Sequence, residues 1–194
     1  MKNTKIGIFG GTFNPIHNGH LLLASQAQDV FALDRVVFVP SSVPPHKEIQ
    51  DLAGAGERYR MTELGVKSNP GFSVSKVELE RGGRSYSVET ANQFKKEYGK
   101  KAKIYFIIGM DMMNDLDTWK DVDNLLEKVE FIVGTRPGYS QDVPIRKGCH
   151  LFRFPGFEFS STEIRERIRE GRSIKYMVPE AVERYIVSAG LYGR

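Results

Sequence analysis

The residues best suited to chemistry lie in one stretch, GGTFNPIHNGH, at residues 10–20. It follows an apolar run at residues 5–9 and precedes a helical pattern over residues 21–31. Glycines let a backbone approach an anion without a Cβ in the way, and a helix start offers unpaired N–H groups and a positive dipole end. His17 and His20 are three residues apart, so one helical turn places them on the same face. The stretch therefore predicts a phosphate-binding pocket.

Other readings of this stretch are weaker. It lacks the lysine of a P-loop and the G-x-G-x-x-G spacing of a dinucleotide-binding loop. Two histidines three residues apart could also bind zinc, but the sequence offers no third ligand at a suitable spacing. We therefore predict no metal site built by the protein.

A second candidate anion site is the sequence SSTEIR at residues 160–165. We expect Ser161 or Thr162 to cap a helix there, leaving N–H groups for a phosphate. Arg165 follows about one turn later and could contact the same anion. Alone, this pattern favours an ordinary capped helix with a solvated arginine. Its occurrence in the same chain as residues 10–20 favours a second part of one site.

The sequence VPPHK at residues 43–47 contains two prolines, which stiffen the loop, followed by His46 and Lys47. These two side chains could hold a second phosphate, or the segment could be a rigid surface turn.

Polar and aromatic residues in two further segments extend the candidate site. Asp111 follows the apolar run at residues 103–108 and could bind ribose hydroxyls or approach reacting phosphates. Trp119 could be a half-buried core residue or could stack on a planar heterocycle. The sequence Ser85-Tyr86-Ser87 could bind a small carboxylate or could cap a helix with Ser87.

Apolar runs and helical patterns alternate along the chain. Continuous apolar runs are typical of parallel strands that are buried on both faces. We predict strands at residues 5–9, 35–40, 72–80 (with a break), 103–108, 129–133 and 149–154. We predict helices at residues 19–31, 57–67, 87–98, within 112–127, and at 161–170 and 179–188.

This alternation predicts an α/β fold, a doubly wound Rossmann-like parallel sheet with helices on both faces. Residues 1–194 are expected to form one domain that ends in a small helical segment from about residue 160. Ligands of such folds bind at the carboxyl ends of the strands, beside the switch point.

The 194 residues carry a net charge of +4 and no dense basic block, so we expect no nucleic acid as partner. No apolar run is long enough to span a membrane, and the N-terminus lacks a signal-peptide pattern, so we expect a cytoplasmic protein without a membrane partner. The single cysteine, Cys149, excludes an intrachain disulfide and is expected to pack in the core. The oligomeric state stays open, with a homo-oligomer among the possibilities.

Together the motifs resemble those of the bacterial nicotinate-nucleotide adenylyltransferases. GGTFNPIHNGH and SSTEIR resemble the two signatures of the wider nucleotidylyltransferase superfamily. VPPHK, SYS, IIGMD with Trp119, and TRPG resemble the narrower family. The resemblance runs from Gly10 to the C-terminal helices. Asn14 departs from the aspartate of many members, and we expect it to shape the turn without loss of activity.

The resemblance implies that ATP and nicotinate mononucleotide react to give nicotinate adenine dinucleotide and pyrophosphate. The implied ATP-binding residues are Gly11, Thr12, Phe13, His17, His20, Gly109, Asp111, Ser161, Thr162 and Arg165. The implied mononucleotide-binding residues are Ser42, His46, Lys47 and Arg136 for the phosphate, Trp119 for the pyridine ring, and Ser85 and Tyr86 for the carboxylate. Mg²⁺ would arrive on the ATP phosphates and not in a protein cage.

His17 and His20 are the implied catalytic residues, acting as donors to the charge that builds on the phosphates. Gly19 between them is expected to leave room for the nucleotide. No residue resembles an activated nucleophile, and an ionised phosphate needs no general base, so catalysis would be alignment and charge neutralisation. The alternatives are a pantetheine-phosphate adenylyltransferase and a non-catalytic nucleotide- or RNA-binding module.

Overall fold

The core of the fold is a six-stranded parallel sheet in the order β3-β2-β1-β4-β5-β6. The computed structural model describes residues 4–43, 51–99, 101–135 and 146–193. The strands are β1 (Lys5–Gly11), β2 (Arg35–Pro40), β3 (Phe72–Val74), β4 (Lys103–Gly109), β5 (Glu130–Thr135) and β6 (Cys149–Arg153). The strand order reverses between β1 and β4, which confirms the predicted doubly wound α/β fold and fixes its switch point.

Eight α-helices are described. They are α1 (Asn18–Phe31), α2 (Ala55–Val66), α3 (Val77–Arg81), α4 (Ser87–Tyr98), α5 (Met110–Asn114), α6 (Val122–Lys128), α7 (Ser161–Arg169) and α8 (Glu180–Ser188). A short 3-10 helix (Leu116–Thr118) separates α5 from α6. Within the described ranges, no helix is both long and apolar enough to cross a membrane.

The sheet has one apolar cluster on each face. Phe38 of β2 belongs to the cluster that includes residues of α1, α2, α7 and α8, whereas its neighbour Val37 belongs to the cluster that includes residues of α3 and α4. Both faces of the strand are therefore buried, as its continuous apolar run predicts. Cys149 packs in the second cluster, and burial raises the pKa of its thiol. The predicted packing role of this cysteine is thereby confirmed.

The predicted strand over residues 72–80 is wrong beyond its first residues. β3 is only three residues long, and α3 follows it. The chain there satisfies its backbone by helical bonds, from Glu80 N to Lys76 O (2.8 Å) and from Gly82 N to Glu78 O (3.0 Å). Alternation of apolar and charged residues over so few positions also fits a single helical turn, so the pattern alone could not separate the two.

Candidate active site

The loop between β1 and α1 (residues 12–17) lies at the switch point of the sheet. Gly11 is the last residue of β1 and pairs in register with Pro40 at the end of β2. Phe13 has a left-handed backbone (φ +48°), yet its side chain is buried. The loop therefore forms a sharp, packed turn after β1 and places His17 at the start of α1.

His17 and His20 cap each other at the start of α1. His20 N donates to His17 Nδ1 (3.3 Å), and His17 N donates to His20 Nδ1 (3.2 Å). Because each Nδ1 accepts a hydrogen bond, each neutral ring carries its proton on Nε2. The two rings stack with centroids 3.6 Å apart. Two adjacent Nε2–H donors at a helix start are suited to an anionic phosphate.

Aromatic side chains hold this pair in place. His17 meets Phe159 edge to face (5.5 Å), and His20 meets Phe13 in the same way (5.2 Å). A Cβ on Gly19 would lie 3.0 Å from the His17 ring. Gly19 therefore leaves room for the His17 ring, and that it also leaves room for the nucleotide stays a prediction.

An open cleft of about 730 Å³ is lined in part by Phe159, which meets the His17 ring edge to face. Charged side chains, among them Glu163, Arg167 and Lys175, line it together with Phe159. Asn18 fixes another part of the cleft, because its N–H donates to Met177 O (2.8 Å). The cleft is therefore joined to the start of α1 through Phe159 and Met177.

The second motif meets the β1–α1 loop through α7. Ser161 Oγ donates to Pro15 O (2.9 Å), and Arg165 Nη1 donates to Asn14 O (2.9 Å). Burial lowers the pKa of Arg165. Its Nη2 donates to Thr162 Oγ1 (3.3 Å), and its buried Nε has no hydrogen-bond partner within the described ranges. The structure thus brings the two motifs together, as the sequence predicted.

The capping residues of two helices differ from the predictions. Ser160, not Ser161 or Thr162, caps α7, because its Oγ accepts from Glu163 N (3.3 Å). The hydroxyl of Ser161 is instead engaged by Pro15 O. At α4 the N-cap residue is Tyr86 and makes no side-chain cap bond, so Ser87 is the first helical residue and not the cap.

Asn14 shapes the turn, as expected. Its Nδ2 donates to Asp51 O (3.1 Å), and its Oδ1 accepts from Ala53 N (3.1 Å) and from the Tyr192 hydroxyl (2.8 Å). Burial raises the pKa of Tyr192, so the hydroxyl remains a donor at neutral pH. Sequence reasoning missed Tyr192, which lies near the C-terminal end of the chain and carries no motif.

Arg58 is a second residue that sequence reasoning missed. Its side chain is fully buried, and it donates to Thr12 O (2.8 Å), Ser42 O (2.9 Å) and Ala53 O (3.0 Å). Burial lowers the pKa of this guanidinium. One signal was available in the sequence: Arg58 lies three residues before Met61 and therefore on the apolar face of the predicted helix.

Gly109 and Asp111 lie where β4 ends, beside β1 in the sheet. Gly109 pairs in register with Gly134 of β5 and is the N-cap residue of α5. A Cβ at residue 109 would overlap Asp111 Oδ1, and Asp111 itself is exposed. The small residue therefore lets an exposed carboxylate lie over the backbone at the strand end.

Ser42 and Ser85 form the other side of the candidate site. Ser42 N donates to Ser85 Oγ (2.9 Å), and Ser85 N donates to Val43 O (3.2 Å). Behind them lies buried Glu78, which accepts from Thr90 Oγ1 (2.6 Å) and from the Ser85 hydroxyl. Burial is the largest influence on Glu78 and raises its pKa. Glu78 is a third residue that sequence reasoning missed.

Lys120 follows Trp119 in the chain, and its ammonium lies 4.0 Å from the centroid of the Tyr86 ring. Tyr86 and Trp119 therefore lie in the same region. Trp119 is partly buried and meets Phe131 edge to face at 6.1 Å. His46, Lys47 and Arg136 lie outside the described residues. The described part of the chain contains no group of three or more His, Cys, Asp or Glu side chains that could hold a metal ion.

Comparisons with known proteins agree with one another. A family model described as cytidylyltransferase-like matches residues 8–167. A probable nicotinate-nucleotide adenylyltransferase of Moorella thermoacetica is 47% identical over 97% of this chain and 91% of that protein. Another, from Thermus thermophilus, is 47% identical over 97% of this chain and 99% of that protein. A solved Plasmodium falciparum nicotinic acid mononucleotide adenylyltransferase complexed with NaAD has a TM-score of 0.80 at 18% identity, covering 97% of both chains, which establishes the shared fold.

Proposed function

Because this chain belongs to the cytidylyltransferase-like family, and within it to the nicotinate-nucleotide adenylyltransferases, we propose that it transfers the adenylyl group of ATP to nicotinate mononucleotide. The products are nicotinate adenine dinucleotide, an intermediate of NAD biosynthesis, and pyrophosphate. The observation that carries the proposal within this chain is the mutually capped pair of His17 and His20 at the switch point. Their Nε2–H donors lie where a parallel sheet binds its ligands.

The ATP phosphates would bind at the β1–α1 loop. Gly11, Thr12 and Phe13 would offer backbone there, and His17 and His20 would donate from Nε2. Arg165 supports this placement, since its buried Nε has no partner within the described ranges and it already touches the loop through Asn14 O. Ser161 and Thr162, at the start of α7, would complete the phosphate contacts. Gly109 and Asp111 would contact the adenosine ribose.

Nicotinate mononucleotide would bind on the side of β2. Ser42, with His46, Lys47 and Arg136, would hold its phosphate. Trp119 would stack on the pyridine ring, and Ser85 and Tyr86 would receive the carboxylate. The contacts that support this arrangement are the Ser42–Ser85 hydrogen bond and the position of Lys120 over Tyr86. They bring three separate segments of the chain to one region.

The chemistry needs no proton transfer from the protein. A phosphate oxygen of the mononucleotide forms a bond to the α-phosphorus of ATP, while the bond to the β-phosphate oxygen breaks and pyrophosphate leaves with its electron pair. The Nε2–H groups and Arg165 stabilise the charge that develops. Mg²⁺, arriving on the ATP phosphates, would neutralise part of the same charge. No second candidate function is favoured by an observation in the structure.

A substrate panel tests the proposal. The purified chain is incubated with ATP and Mg²⁺ together with nicotinate mononucleotide, nicotinamide mononucleotide or phosphopantetheine, and pyrophosphate release is measured. We expect fastest release with nicotinate mononucleotide, with nicotinate adenine dinucleotide identified by mass. Fastest release with phosphopantetheine would favour the sister enzyme instead. Absence of pyrophosphate with every acceptor would contradict an enzymatic function.

A further inference from the structure

Arg58 occupies a position that two physical effects disfavour. It lies in the first turn of α2, where a cation opposes the helix dipole. Its guanidinium is fully buried, and within the described ranges no carboxylate forms a salt bridge with it. A buried charge without a counter-charge is costly. The three carbonyl oxygens that accept from Arg58 compensate for this cost. Arg58 in turn fixes where those carbonyl groups lie.

Two of these carbonyls belong to different halves of the candidate site. Thr12 O follows β1, in the loop assigned to the ATP phosphates, and accepts from Nη1 at 2.8 Å. Ser42 O follows β2, on the side assigned to the mononucleotide, and accepts from Nη2 at 2.9 Å. A single rigid guanidinium therefore spans the boundary between the two halves.

The connection continues beyond Ser42. The Ser42 N–H donates to Ser85 Oγ, and the Ser85 hydroxyl is in turn bound to Glu78. The third acceptor of Arg58, Ala53 O, lies on a residue whose N–H donates to Asn14 Oδ1. Hydrogen bonds thus run without interruption from Asn14 and Thr12, through Arg58, to Ser85.

We propose that Arg58 is a positioning residue that fixes the spacing between the ATP half and the mononucleotide half of the active site. The inference rests on the proposed function. In-line attack requires the reacting atoms to lie about 3–3.5 Å apart, and a misplacement of about 1 Å can cost roughly 100-fold in rate. A guanidinium suits this task because its donors form a planar, rigid fork, whereas a lysine ammonium is a single point donor on a flexible stem.

The test compares Arg58→Lys with Arg60→Lys, a matched control on an exposed residue of the same helix. Binding is measured for three ligands: a non-hydrolysable ATP analogue, nicotinate mononucleotide, and nicotinate adenine dinucleotide, which spans both halves. For Arg58→Lys we expect each separate half to bind within about threefold of wild type, the dinucleotide to bind at least about tenfold more weakly, and kcat to fall roughly 100-fold. Arg60→Lys should match wild type in every measurement.

Equal losses for all three ligands would show a merely structural residue and would overturn the inference, as would unchanged dinucleotide affinity. The proposed function is judged separately, by whether the wild-type chain makes nicotinate adenine dinucleotide and prefers nicotinate mononucleotide in the substrate panel.

A measurement on the wild-type protein covers the case in which Arg58→Lys does not fold. The Arg58 Nε–H signal in a ¹⁵N spectrum is assigned through its own backbone, and the ATP analogue and the mononucleotide are then added separately. Because Arg58 touches both loops, we expect its signal to move with either ligand alone. A signal that moves with neither, or with only one, would overturn the inference.

Discussion

The imidazole rings of His17 and His20 stack 3.6 Å apart, and each Nδ1 accepts the backbone N–H of the other residue. Each histidine therefore caps α1 and also presents a fixed Nε2–H donor. Under the proposed function, mutation of either residue would therefore combine a structural effect with a chemical one. Experiments on this pair must separate the two.

Asparagine can replace the capping function of His17 but not its imidazole donor, because asparagine is a preferred N-cap residue. We expect His17→Asn to retain near wild-type thermal stability while kcat falls roughly 100- to 1,000-fold, with KM for ATP changed only a few-fold. His17→Ala should lose similar activity and also about 1 kcal/mol of stability. Steady-state kinetics and thermal denaturation measure these effects, and His20→Ala should likewise lose more rate than binding.

The matched control for the histidine variants is His150→Ala. His150 is exposed on β6 and pairs with Glu130 (2.6 Å), away from the strand ends that carry the site. Its loss should leave kcat unchanged. Near wild-type turnover of either the His17 or the His20 variant would remove that histidine from the catalytic assignment.

Adjacent serines at the start of α7 are expected to behave differently. Ser160→Ala removes the helix cap and should lower the free energy of unfolding by about 1 kcal/mol with little effect on kcat. Ser161→Ala releases Pro15 O from α7 and should lower kcat more than stability. Urea denaturation and kinetics on both variants check this. If the two variants exchange these phenotypes, the capping residue is Ser161, one of the two residues that the sequence alone suggested.

Trp119→Ala should raise KM for nicotinate mononucleotide by up to about tenfold, since an aromatic contact contributes about 0.5–1.5 kcal/mol beyond its buried area. KM for ATP should change much less. Trp119→Phe, which keeps an aromatic ring against Phe131, should have a smaller effect. Equal increases in both KM values would place Trp119 outside the pyridine-binding region.

Glu78 makes stability depend on pH. Its pKa is raised above the ordinary value of 4.5 by burial, so the folded state keeps a proton that the unfolded state has already lost. The resulting stabilisation is complete below pH 4.5 and disappears as the pH rises through the higher folded pKa. We therefore expect Glu78→Gln, which keeps an acceptor for Thr90, to be more stable than wild type at pH 8.

At pH 4 this advantage of Glu78→Gln should largely vanish, because both states of the wild-type residue are then protonated. Urea midpoints at the two pH values measure the difference. A gap of the same size at both pH values would show that ionisation of Glu78 is not its cause.

Segments with a clear hydrophobic pattern and a proline or glycine at their end could be predicted well. The run at residues 35–40 is a strand with the predicted bounds, and the helix predicted at residues 87–98 is α4 with the same bounds. The parallel, doubly wound character of the sheet follows from the alternation of strands and helices, whereas the order of the strands was not predicted. Short segments gave wrong predictions, since five residues from Val77 to Arg81 fit either a strand or one helical turn.

The site could be predicted only where residue type and spacing carried a signal. The two histidines carried such a signal, and the structure places them together at the switch point. Arg58, Glu78 and Tyr192 act through hydrogen bonds that reach residues as far as 46, 12 and 178 positions away in the chain, respectively. Such contacts depend on tertiary packing; the position of Arg58 on an apolar helix face shows that it is buried, but no pattern in the sequence identifies the partners of these three residues.

The central claim is that His17 and His20 hold the ATP phosphates through Nε2 during attack by a second phosphate. A crystal structure of the chain with a non-hydrolysable ATP analogue and nicotinate mononucleotide tests it most directly. We predict phosphate oxygens of the analogue within hydrogen-bond distance, about 2.7–3.2 Å, of the Nε2 atoms. Analogue phosphates bound away from both rings would contradict the account.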